Sequence, residues 1–367
     1  VAFNTQTIID RDSDLWRMLW SWPKIELHRH LEGSIRLATL IEVAEEFDIT
    51  LPAYDLQNLR PHVQVTDEDE SSMKSFLRKF DVLRKFYCSM DIIRRIAREA
   101  VEDAAQDNIK YMELRFTPHA LARQNNFSYT EVIRTVCEEV QRAERDFGTR
   151  VRLIVSVNRH ESVEIAENVL NGALEADLTH CSLVGMDLAG QEVGYSARPF
   201  HNLFYRAKAA GLFVTVHAGE WDGPDNVREA IEVLDADRIG HGVRSIEDSH
   251  VIQLVRERRV TLEVCPTSNM QSGAVTDLTH HPLIDLTYLG VPTTINTDDP
   301  SLSNIVLTDE LALAHIGLGL SLDAIKANIL NAAQDAFLPD EQRAALVEEF
   351  RSNLGLDETL LRPPWIK

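Results

Sequence analysis

Eight short apolar, β-rich runs alternate with helical patterns along the 367 residues, and this alternation predicts an α/β fold, a (β/α)8 TIM barrel. Three observations carry the prediction. The runs lie at 24–31, 109–116, 151–157, 183–188, 213–218, 238–243, 260–265 and 292–297, and eight parallel strands close a sheet more readily than they leave it open. Helical periodicity fills most of the intervals between them. The chain is longer than an ordinary single domain but normal for a barrel with insertions.

Taken in order, residues 1–22 form an N-terminal extension, in which Trp16, Trp20 and Trp22 are expected to pack on the barrel. The first strand is followed by a helix over Leu37–Phe47. The segment 50–108 is too long for one crossover and is expected to hold several extra helices between strands one and two. These include Glu70–Lys85 and Ile92–Gln106, with acidic Asp67–Glu70 as a loop or helix start. Further helices are expected at Tyr129–Phe147, Ser162–Glu175, Pro199–Ala210, Val227–Leu234 and Glu247–Arg258. The tail, 308–367, reads as helical at Thr308–Leu318, Leu322–Ala336 and Asp340–Leu354, with Pro363-Pro364 ending regular structure. No linker, repeat or low-complexity stretch interrupts the chain, so 1–367 is read as one catalytic domain.

Composition narrows the function. Hydrophobic residues make up 44% of the chain, enough for a large core, yet no run reaches the roughly 18 apolar residues of a membrane span. Val1–Asp14 is polar and acidic, without the apolar core of a signal peptide. A formal charge of −21 argues against a nucleic-acid partner and a large polyanionic substrate, and otherwise reads as a device for solubility. Cys88, Cys137, Cys181 and Cys265 are far apart and form no C-x-x-C pair, which fits a reducing cytoplasm and argues against a thiolate metal site. Nothing in the sequence sets the oligomeric state.

The chemistry-bearing residues cluster at strand ends, where parallel barrels place their active sites. In Lys24–Ser34, His28 and His30 sit two residues apart, on one face of one strand. Strand five ends at His217 with Glu220 just beyond, strand six places His241, and strand eight places Asp298 and Asp299. Three histidines and an aspartate suit zinc with a position left for water, whose pKa zinc lowers to ~7. His241 then either takes the proton of the attacking water or orients it. Glu220 can give a proton to a substrate nitrogen if burial raises its pKa. Other motifs fail: His160-Glu161 lacks the H-E-x-x-H spacing, Cys265-Pro266 does not open P-C-x-x-C, and no Gly-rich phosphate loop occurs. His280-His281 lies in a Thr/Pro loop and is expected at the surface.

The ordered motifs PKIELHRHLEGS, YMELRFTP, GMDLAGQE, TVHAGE, RIGHG, LEVCPTSN and INTDDPS, from about Pro23 to Phe337, resemble the adenosine deaminase family of the amidohydrolase superfamily. The resemblance implies that His28, His30, His217 and Asp298 hold one zinc ion per subunit. It implies that Glu220 protonates purine N1, that His241 acts on the zinc-bound water, and that Asp299 meets N7 and the Gly190 backbone N3. His30, Glu32, Gly190 and Asp299 would then contact substrate. Two-metal relatives often carry a bridging modified lysine on strand four, and Leu183–Glu192 has none, which implies a single metal. The implied reaction is hydrolysis of adenosine, and of 2′-deoxyadenosine, to the 6-oxo product and ammonia. Glu32 departs from the Asp of animal-type members. Glutamate there also occurs in members acting on adenine or 6-aminodeoxyfutalosine, which are the alternative substrates. The Tyr111–Pro118 motif, with its arginine, looks like the nucleoside branch.

Overall fold

The structure is a computed structural model that describes residues 2–177 and 181–356. Eight strands form one parallel sheet in sequence order: β1 Lys24–His30, β2 Ile109–Phe116, β3 Arg150–Asn158, β4 Leu183–Ala189, β5 Phe213–Ala218, β6 Arg238–His241, β7 Thr261–Val264 and β8 Thr293–Ile295. Most strand residues are buried, as expected for strands covered on one side by helices and on the other by the barrel interior. The sheet closes between β8 and β1 by a short bridge: Asp298 N–H donates to the His28 carbonyl (2.9 Å) and His30 N–H to the Asp298 carbonyl (2.8 Å). Side chains complete the seam, with Leu27 N–H donating to Asn296 Oδ1 (3.0 Å) and Thr297 Oγ1 to Glu26 (2.8 Å).

Several of the surrounding helices start where the sequence supplies a cap. Serine hydroxyls accept the early N–H groups of Asp14–Ser21, Met90–Gln106, Tyr129–Phe147, Val163–Glu175 and Leu322–Gln334. The apolar faces of these helices join the strands in one contiguous buried cluster. The expected helix over Glu70–Lys85 is instead broken into Met73–Arg78, Phe80–Leu83 and a short 3-10 turn. The break falls at Lys79, whose buried ammonium reaches back to Asp69 (2.7 Å) and the Pro61 carbonyl (2.6 Å). Asp69 is thereby held in the loop rather than in a first helical turn.

Two expectations about surface residues need correction. Trp16 packs, and its indole N–H donates to Asp309 (2.8 Å), but Trp20 is 45% exposed. Of His280 and His281, the first is exposed beside Asp277, whereas His281 is only 3% exposed and its Nδ1 accepts from Leu283 N–H (3.3 Å) at the start of helix Leu283–Tyr288. The turn inward is driven by that helix start, a signal the Thr/Pro composition hides. Pro363-Pro364 lies outside the described residues. No helix among the described residues is long and apolar enough to cross a membrane.

Candidate metal centre and active site

The strand ends bring the predicted groups together. Donor atoms of His28 (β1), His217 (β5), His241 (β6) and Asp298 (after β8) all lie within 4.8 Å of one another, and all four residues are buried. His30 borders this group, with its Nε2 3.2 Å from both His217 Nε2 and Asp298 Oδ1. His28 Nε2 is 3.3 Å from the same carboxylate oxygen. The chain turns into the left-handed region at His241 (φ 61°) and Asp298 (φ 62°), which aims both side chains into the barrel mouth. Such conformations cost about 1–3 kcal/mol each and persist where surrounding contacts enforce them. The bridge to β1 does so for Asp298.

The imidazoles are oriented from behind. His28 Nδ1 donates to Glu263 Oε2 on β7 (2.7 Å), and His217 Nδ1 to Asp187 Oδ1 on β4 (2.9 Å). Each carboxylate fixes the tautomer that leaves Nε2 as a lone pair facing the cluster. His28 Nε2 is buried and has no hydrogen-bond partner, a cost the fold carries only if something binds there. The residues present therefore fit a metal ion with nitrogen and oxygen ligands. His241 differs, because Asn269 Nδ2 donates to its Nδ1 (3.0 Å), which puts the proton of the neutral ring on Nε2. In that tautomer Nε2 is a donor, unlike those of His28 and His217.

The barrel floor beneath is a network of buried charges. Arg115 Nη2 donates to Glu263 Oε2 (2.7 Å) and to the Leu27 carbonyl (2.8 Å), and Nη1 stands 3.5 Å from Asp187. Arg238 bonds Glu263 Oε1 (2.6 Å) and Glu113. Burial alone would raise the Glu263 carboxyl, but Arg115, Arg238 and His28 hold it well below its usual range. Arg115 thus supports the floor. Glu263, Asp187 and Arg238 were not singled out from sequence, and Arg115 was marked only as the arginine of the Tyr111–Pro118 motif. A charged residue inside an otherwise apolar strand was the available signal.

Around the mouth, Glu220 Oε2 faces His241 Nε2 at 3.5 Å, and Ser272 Oγ donates to Glu220 Oε1 at 3.4 Å. Burial, with Asp298, Glu192 and Asp299 adding to it, pushes the Glu220 carboxyl well above its usual value. Burial likewise lowers the His241 imidazole well below its ordinary value and that of His217 to about 4. Asp299, next to the Asp298 carboxylate of the donor cluster, is raised well above the usual range by burial, then by Asp298 and Glu32. Its Oδ1 is buried without a partner, and a Cβ on Gly33 would run into it. Glu32 Oε1 accepts from Thr117 N–H (2.6 Å), while Oε2 has no partner. Tyr87, from the 50–108 insertion, is a further buried group with an orphaned hydroxyl; burial, then the charge of Glu32, raises its phenol well above its ordinary pKa. Gly190 is not in the donor cluster. It ends β4 at φ 84°, and a Cβ there would come 2.6 Å from His160 Nδ1, so only glycine leaves its backbone open.

Comparison with known proteins gives a consistent result. The family profile described as adenosine deaminase matches residues 23–353. An adenosine deaminase of Klebsiella pneumoniae is 40% identical over 329 residues, covering 89% of this chain and 97% of that protein. Among solved structures, an adenine deaminase from Arthrobacter aurescens superposes with a TM-score of 0.82 at 29% identity, covering 91% of this chain and 100% of the other. An amidohydrolase from Burkholderia ambifaria with bound zinc superposes with a TM-score of 0.84 at 24% identity, covering 97% of each chain, a likeness of fold.

Proposed function

Because the chain belongs to the adenosine deaminase family, we infer that it hydrolyses adenosine, and 2′-deoxyadenosine with it, releasing ammonia and leaving the 6-oxo purine. The observation that carries this reading is the pairing of two features in one buried mouth. One is a cluster of imidazole and carboxylate donors with an orphaned His28 Nε2; the other is a buried carboxyl, Glu220, 3.5 Å from His241, whose pKa burial raises.

We assign His28, His30, His217 and Asp298 as the ligands of one zinc ion, a choice the N/O donor set favours. Bound there, zinc would supply a water acidic enough to attack at neutral pH. The chain's own residues do the rest. Glu220 delivers its proton to purine N1, which makes C6 electrophilic. His241 orients the attacking water through Nε2, and it can take that water's proton once the Asn269 amide turns over to accept from Nδ1. The turn would also give the orphaned Asn269 Oδ1 a partner. Asp299, protonated, donates to N7, and the exposed backbone of Gly190 meets N3. The proton taken up by His241 passes to the amino group, which leaves C6 as ammonia, while the C6 hydroxyl proton returns to Glu220 and leaves the 6-oxo product with N1 protonated.

Glu32 supports a second reading, in which the substrate is another 6-aminopurine compound such as 6-aminodeoxyfutalosine. Glu32 is buried and only half satisfied, and burial raises its carboxyl above the usual value, so it can present a proton near the sugar end or fill that space against free adenine. The free thiols, three of them buried, suit a reducing, cytoplasmic setting, which we also propose. The machinery is tested by Glu220→Gln in protein loaded with metal: metal content should stay at that of the unaltered enzyme while kcat falls 10²-fold or more. Near-normal turnover would remove Glu220 as the proton donor.

A further inference from the structure

Glu192 follows β4 and is buried, yet it lines no part of the donor cluster. Its two oxygens are spent on the loop that follows β5. Oε1 accepts from Gly219 N–H (2.6 Å) and from Asn226 Nδ2 (3.1 Å). Oε2 accepts from Glu220 N–H (3.0 Å), Trp221 N–H (2.9 Å) and Asp222 N–H (3.1 Å). Four consecutive backbone N–H groups thus converge on one carboxylate, an anion nest whose charge-assisted bonds are stronger than neutral ones. The loop bends sharply to allow it. Gly219 has φ 66°, and a Cβ there would sit 2.5 Å from Val227 Cγ2. Arg159 supplies compensating positive charge nearby, buried and anchored on the carbonyls of His217 and Tyr195.

The loop so gathered carries Glu220. The side chain of Glu220 is itself thinly held, by contacts of 3.4 Å to Ser272 and 3.5 Å to His241. Its place is therefore set mainly by its backbone, and that backbone is bonded to Glu192. We propose that Glu192 is a positioning residue for deamination, acting through the 219–222 loop to fix where the Glu220 carboxyl stands. The proposal rests on the reading that Glu220 delivers the proton. A buried carboxylate that merely stabilises a loop would affect folding and leave the rate per folded molecule unchanged.

The test is a double-mutant cycle in metal-loaded enzyme with adenosine as substrate. Glu192→Gln keeps the volume but replaces one acceptor oxygen with a donor facing N–H groups. We expect kcat to fall ~100-fold, the scale of a misplaced catalytic group, with KM within about threefold and metal content unchanged. In the Glu220→Gln background the same change should cost less than about twofold, because its effect runs through Glu220. The proposal is overturned if E192Q keeps kcat within threefold, or if its loss persists in the E220Q background. If E220Q alone keeps near-normal turnover, the reading of Glu220 fails, and that result is visible without any change at 192. Should E192Q lose its metal or fail to fold, Asn226→Ala removes one donor of the nest at less risk. A several-fold loss in kcat that disappears in the E220Q background supports the proposal, and an unchanged kcat overturns it.

Discussion

Changing Asp187 to Asn should weaken the metal site without touching a ligand. The Asp187 carboxylate accepts from His217 Nδ1 (2.9 Å) and Ser156 Oγ (2.9 Å) and faces Arg115 at 3.5 Å, all inside the barrel. Burial opposes its charge, but His217 and Arg115 hold it below its ordinary pKa. An amide of the same shape keeps one hydrogen bond and loses the charge that makes His217 a better donor to metal. Removing such a partner typically costs about 10–100-fold in metal affinity, or ~1.4–2.7 kcal/mol. The matched control is Asn269→Ala, which strips the partner of His241 Nδ1 instead. If His30 rather than His241 completes the ligand set, Asn269→Ala should leave affinity within about threefold. Zinc affinity of both variants can be read by chelator competition, with thermal unfolding to confirm that each is folded. Equal losses in the two variants, or a larger loss at Asn269, would make His241 a ligand and refute the assignment.

Other consequences are equally accessible. The carboxyl of Glu220 is raised by burial, so it is protonated at low pH and lost as a donor only as pH climbs through its elevated value. The His241 imidazole is lowered by burial, so it is already neutral well below pH 6.5. Activity should therefore hold a plateau across neutral pH, and a decline beginning near pH 5, where an ordinary carboxyl ionises, would contradict the Glu220 assignment. Lys24, whose pKa burial lowers to about 8 against the pull of Asp107, donates to the carbonyls of Leu19, Trp20 and Trp22 at the end of helix Asp14–Ser21. Lys24→Met takes a donor from these carbonyls, although Leu19 keeps the Trp22 N–H and Trp22 the Asn108 amide, and it takes from Asp107 the buried ammonium 3.8 Å away, so denaturant unfolding should show a loss of ~3 kcal/mol; under 1 kcal/mol would mean the contacts are idle. Glu32→Asp withdraws the carboxylate by one methylene and should shift relative kcat/KM among sugar-modified adenosines with metal retained. An unchanged ranking would remove Glu32 as a specificity residue.

Much of this was legible because barrel strands are short, rich in apolar and β-branched or aromatic residues, and separated by helical patterns, even where a buried charge interrupts them. β1, β2 and β5 match their runs closely for that reason. β6 stops short of its run because the chain turns left-handed at His241 and Gly242, which aims the His241 side chain, and no propensity announces that turn. Helix Tyr129–Phe147 was readable from a serine cap at one end and Gly148 at the other. The break at Lys79 was not, since it depends on a buried contact with Asp69, ten residues away in sequence. Residues that touch the reacting centre stood out as histidines and acids at strand ends. Their supports did not: Glu263, Asp187 and Asn269 declare a role only when an imidazole is seen against them. Tyr87 is hidden further, in an insertion whose path no local pattern sets.

Ammonia release from adenosine, adenine and 6-aminodeoxyfutalosine, compared as kcat/KM in one preparation of the zinc-loaded enzyme, tests the account most directly. The account predicts adenosine as the best substrate, with 2′-deoxyadenosine close behind and free adenine at least ~100-fold slower. An enzyme inert toward adenosine but fast on either of the other two would contradict it.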